Sequence, residues 1–152
     1  MVAIKRKMLQ SVNSVIVFLI SLLGFTTSCV PLEYGTPHAD FIITGKIASV
    51  TNSLPIPDII VEMHHVFEDE GSRLEDTAVS LPNGEYRVGL SDSPNDHTIQ
   101  LRFVDTDGAL NGEYESLDTV VVFQDPKFTG GDGDWYMGSV QKELNIQLKP
   151  KE

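Results

Sequence analysis

The sequence predicts an all-β protein: a single antiparallel β-sandwich of about seven strands, placed after an N-terminal export signal. Three observations lead there. Apolar and polar residues alternate with a period of two in several short segments, as in 98–104 (TIQLRFV), and that is the period of a strand with one face buried. Those segments are separated by clusters of Pro, Gly, Asn, Asp and Ser, the residues that make turns. Beyond residue 28 no stretch has the 3.6-residue apolar period of an amphipathic helix.

The first 28 residues read as a signal peptide. Lys5, Arg6 and Lys7 give it a basic start, and Val15 to Phe25 (VIVFLISLLGF) an apolar stretch. That stretch is within the roughly 7–15 residues of a signal-peptide core and short of the about 20 that span a bilayer. It ends Thr26-Thr27-Ser28-Cys29, which resembles the lipobox of bacterial lipoproteins, in relaxed form because Thr26 stands where Leu is usual. The resemblance implies cleavage before Cys29 and lipidation of its sulfur. Physical chemistry points the same way. Cys29 is the only cysteine of the chain, and a lone thiol in an exported protein is otherwise reactive. Two or three acyl chains hold a protein at a membrane where one does so only marginally. Residues 29–39 are expected as lipidated cysteine and tether, and residues 40–149 as the sandwich.

Within the sandwich, 41–49 and 59–67 are rich in β-branched and aromatic residues. Gly45 interrupts the first, a mark of a bulge or of a second backbone close by. Pro55 and Pro57 make 51–58 a connection, since proline cannot donate to a central ladder. In 59–67 alternation puts Val61, Met63, His65 and Phe67 on one face, the expected core face. A strand near 75–80, the dipeptide Asn83-Gly84 and a strand at 86–90 read as a hairpin. Residues 98–104 follow with Ile99, Leu101 and Phe103 inward, then 117–123, and lastly 140–148 after a glycine-rich segment.

Gly45-Lys46-Ile47, then Pro55-Ile56-Pro57 with the strand at 59–63, then Asn83-Gly84-Glu85-Tyr86 resemble the pattern of carboxypeptidase-regulatory-like, transthyretin-type β-sandwich domains, of the broader Ig-like layout. The stretch 33–40 (EYGTPHAD) after a lipobox, the Asp105–Gly108 loop and Gly-Gly-Asp-Gly-Asp-Trp at 130–135 resemble, in that order, the radical SAM-associated lipoproteins of Bacteroidetes. This likeness extends over nearly all of the chain after the signal. It implies an envelope lipoprotein with no catalytic residues to transfer, acting beside a radical SAM enzyme as partner, accessory or substrate.

Charge narrows the partners further. Three of the 11 Lys and Arg lie in the signal and all 22 Asp and Glu beyond it, so residues 29–152 carry 8 positive against 22 negative groups, a net −14. Such a chain repels phosphate backbones and anionic head groups, which excludes nucleic acid. The membrane is reached through the lipid on Cys29. No run of acidic residues follows Cys29, so the surface-display signal described for Bacteroidetes lipoproteins is missing and a periplasmic face is expected.

No G-x-S-x-G, H-E-x-x-H or phosphate loop occurs, and the expectation is a non-enzymatic chain without a cofactor. Asp105, Asp107 and Asn111 in one loop and Asp132 and Asp134 in another offer the clustered oxygens that calcium takes. Neither matches a calcium-loop template, and turn chemistry accounts for both without metal. Trp135 and Tyr136 beside them either stack on a ligand such as a sugar, as a calcium-dependent or glycan-binding surface would use them, or cap the end of the sandwich. His64 and His65 point to opposite faces of their strand and cannot share one zinc ion, and ordinary half-buried or surface positions are expected for the histidines.

Overall fold

The computed structural model describes residues 15, 18, 35–67, 69 and 71–151. The chain divides into two compact units, Met1–Tyr34 and Gly35–Glu152. Cys29, the expected cleavage point and most of the expected tether lie outside the described residues. Among the described residues no helix is long and apolar enough to cross a membrane.

The second unit is a two-sheet β-sandwich, as the alternation predicts. Its strands are β1 (His38–Ser49), β2 (Ile59–Phe67), β3 (Gly71–Val79), β4 (Glu85–Asp92), β5 (His97–Asp105), β6 (Leu117–Phe123), β7 (Thr129–Gly130), β8 (Tyr136–Glu143) and β9 (Ile146–Leu148). One sheet runs β4-β1-β8-β7, with β9 continuing beside β1, and the other runs β3-β2-β5-β6. Most neighbours are antiparallel, but β1 pairs with β8 and β9 in parallel. The segment 140–148, read as one strand, belongs to two, broken at Leu144-Asn145 where β1 changes partner.

The core forms as alternation dictates. Phe41, Ile43 and Ile47 of β1 and Tyr86, Val88 and Leu90 of β4 face Val61 and Met63 of β2, Ile99, Leu101 and Phe103 of β5 and Phe123 of β6, all buried. Burying side chains of this size is the main stabilising term, about 1.5–3 kcal/mol each relative to exposure. Ile56, between the two prolines, joins this core, and the buried Ser80 hydroxyl holds the connection by donating to the Ile56 carbonyl at 2.9 Å and accepting from the Ile59 amide at 3.0 Å.

The expected hairpin at Asn83-Gly84 is a turn of another kind. β3 pairs with β2 and β4 with β1, so the turn carries the chain from one sheet to the other. Gly84 has φ +76°, as the dipeptide suggested, and its carbonyl accepts from the Ile47 amide at 2.9 Å. A Cβ there would stand 2.5 Å from the Ile47 carbonyl oxygen. Gly84→Val is therefore expected to lower the denaturation free energy by about 1–3 kcal/mol, through positive φ and contact together. A urea midpoint equal to that of the native chain would refute this account of the turn.

Candidate functional site

Sheet packing leaves an open cleft of about 480 Å³ beside β1 and β4, where the outer ends of Thr44, Lys46, Glu85 and Arg87 meet Val79 and Leu81 from the β3–β4 passage. Apolar and charged groups share its wall. Lys46 and Glu85 form an ion pair at 3.1 Å, and Glu85 is held below the usual carboxylate range by its hydrogen bonds with Asn83 and Lys46. Both side chains of the pair are exposed, so it contributes little to stability. At the back of the cleft the Tyr86 hydroxyl donates to the Leu144 carbonyl at 2.8 Å, and burial raises its pKa far above the ordinary value.

The acidic loops are hydrogen-bonded as turns. Asp105 accepts from the Tyr114 amide at 2.7 Å, and the Asn111 amide donates to Asp107 at 2.7 Å and to Asp58 at 2.9 Å. Asp132 accepts from the amides of Asp134 and Tyr136 at 3.0 and 3.1 Å, and those bonds hold its carboxyl below its ordinary range. Asp134 is exposed. Tyr136 donates its hydroxyl to Asp40 at 2.8 Å and lies 5.4 Å from the His38 ring, while the Trp135 carbonyl accepts from the His38 amide at 2.8 Å. Half-buried Trp135 and Tyr136 thus fasten the start of β1 to the glycine-rich segment.

The structure assembles another group that sequence reasoning missed. His65 near the end of β2, His97 at the start of β5 and Asp92 at the end of β4 place one ligating atom each within 4.8 Å of one another. His65 and His97 are each only 6% exposed, and His97 Nδ1 stands 2.9 Å from His65 Nε2. Phe41 packs edge-on against His97 and Phe67 lies against His65, with ring centres 4.5 and 4.2 Å apart. Burial first, then the neighbouring His97, holds the His65 imidazole below its ordinary pKa, against the opposing pull of Asp92. The alternation that put His65 on the core face was the available signal, but its partners are 27 and 32 positions away.

Among the described residues the fold is a two-layer β-sandwich with an open cleft beside β1 and β4 and a buried polar cluster where β2, β4 and β5 meet. No family model matches the chain, and no curated protein does. Solved structures similar to it include an (S)-allantoin synthase, with TM-score 0.46 and 11% identity over 77% of this chain, and transthyretin from Sparus aurata, with TM-score 0.43 and 14% identity over 70%. A 9R-lipoxygenase from Cyanothece PCC8801 is also similar, with TM-score 0.37 and 17% identity over 70% of this chain. The matched regions make up 45%, 89% and 16% of those three chains, so the match spans less than half of the synthase. This corrects the expectation of a non-enzymatic chain, since enzymes stand among the structures similar to it. At such identities and TM-scores the likeness conveys no particular activity, ligand or partner.

Proposed function

We propose that the protein is a lipid-anchored lipoprotein of the bacterial envelope, facing the periplasm, whose sandwich serves a binding, structural or maturation-associated role beside a radical SAM system. The observation that carries this reading is Cys29, the single cysteine, at the end of an apolar signal and ahead of a compact unit that begins at Gly35. In this reading the lipid holds the domain at the membrane and the cleft beside β1 and β4 is the surface offered to an envelope protein or to the enzyme. Its mixed wall, with Leu81 and Val79 beside Lys46 and Arg87, suits a peptide segment better than a phosphate backbone.

Cys29→Ser tests the anchor. The variant is expected in the soluble fraction with the melting midpoint of the native domain, while the native chain stays with membranes until detergent is added. Intact mass of the native protein should show the acyl additions on the chain that begins at Cys29. A mature-sized Cys29→Ser chain that still sediments with membranes would overturn the reading.

A further inference from the structure

We propose that His65 and His97, backed by Asp92, form a binding site for one zinc-class divalent cation, with His65 Nε2 and His97 Nδ1 as its nitrogen donors. His97 Nε2 lies 2.8 Å from the Ser93 carbonyl oxygen, which can only accept, so Nε2 carries the hydrogen and a neutral His97 presents a lone pair at Nδ1. That lone pair faces His65 Nε2 at 2.9 Å. If His65 donates from Nε2, its own lone pair at Nδ1 is turned on the Asp92 carboxylate, 3.5 Å away, and this buried nitrogen has no hydrogen-bond partner. If His65 instead carries its hydrogen on Nδ1, towards Asp92, two nitrogen lone pairs confront each other at 2.9 Å. Both neutral arrangements set two acceptors face to face. A cation between the two imidazoles relieves both conflicts, because each facing nitrogen gives it a lone pair while His65 Nδ1–H turns to Asp92.

The surroundings match those of ligating histidines. Such a histidine turns its second ring nitrogen to a backbone carbonyl or a carboxylate, which fixes the tautomer and strengthens the donor. Ser93 O stands behind His97 in that position, and Asp92 behind His65. Imidazole nitrogens suit zinc, copper and nickel, whereas calcium and magnesium take oxygen. At about 2.0–2.1 Å per bond, two nitrogens on a tetrahedral ion stand about 3.3 Å apart, so the present gap must widen by about 0.4 Å. Phe41 and Phe67 pack against the two rings and keep the pair dry.

The test uses the full-length untagged chain, purified in detergent and freed of metal with a chelator. Dialysed against zinc, it is expected to retain one equivalent, and cobalt should give the visible absorption of a tetrahedral site that zinc then bleaches. Calcium and magnesium, which would report on the acidic loops instead, should not displace cobalt. His65→Gln and His97→Gln should each abolish retention, and Asp92→Asn should weaken it about 10–100-fold. His64→Gln is the control, since His64 projects to the other face of β2 beside Glu62. Should a glutamine variant fail to fold, imidazole nitrogen resonances of the native chain decide the matter, because zinc must shift those of His65 and His97 and leave those of His64 in place. No retained zinc, or retention that survives loss of either buried histidine, would overturn the proposal and leave a pair that shares a proton.

Discussion

Phe41→Ala should lower the unfolding free energy by about 3–5 kcal/mol, the range for a buried phenylalanine cut back to a methyl group. Phe41 is wholly buried on β1, where its ring meets Phe123 and Phe128 edge-on, with centres 5.2 and 5.4 Å apart, besides His97. Two of those rings belong to the opposite layer: Phe41 is on β1 of one sheet, His97 on β5 and Phe123 on β6 of the other. Truncation therefore opens a cavity between the two sheets, and neither can move in to fill it. Val120→Ala is the comparison, because Val120 is exposed on β6 and its loss should change little. Denaturation curves of the two variants give the answer, and a loss under about 1 kcal/mol for Phe41→Ala would show that Phe41 is not the link between layers.

Gly45→Val should be harsher, costing more than about 4 kcal/mol and in practice leaving little folded protein. Space is the reason, not backbone freedom. A Cβ on Gly45 would fall inside the Leu144 carbonyl group and touch the Tyr86 ring at 3.0 Å. Neither neighbour can yield. The Leu144 amide donates to the Thr44 carbonyl at 2.8 Å, its carbonyl accepts the Tyr86 hydroxyl at 2.8 Å, and the Lys46 amide donates to Asn145 at 2.9 Å. The chain crosses over Gly45 where β1 changes from β8 to β9, so any side chain there parts the strand from both. Gly45→Ala already places the offending Cβ and should cost nearly as much. A folded Gly45→Ala protein with native stability would refute the close approach.

That approach was legible in the sequence, since a glycine inside a β-branched run marks a bulge or a neighbouring backbone. The strands were legible for the same kind of reason: Ile99, Leu101 and Phe103 alternate with polar residues because one face of β5 meets the core. What stayed hidden depends on pairing. Asn83-Gly84 declares a turn, yet whether the flanking strands pair or part depends on β1 and β2, which claim them for different sheets. The histidine cluster was hidden more deeply. Side-chain alternation rightly separates His64 from His65, but the partners of His65 arrive on β4 and β5, and no local pattern announces that their ends converge. Asp132 was the opposite case, its turn role plain from the glycines around it and its two amide bonds those of such a turn.

The parallel pairing of β1 has a consequence in time. Phe41 stands in register with Val140, and the Lys46 amide bonds the side chain of Asn145, 99 residues further along the chain. The first strand of the sandwich therefore finds two of its three partners only when the last strands arrive, a pattern of distant contacts that makes folding slow. A chain delivered through a membrane with its N-terminus leading would hold β1 unpaired on that side until residues 136–148 had crossed. Such a chain would stay loose enough to be threaded until then, and would close into its final form only on the far side.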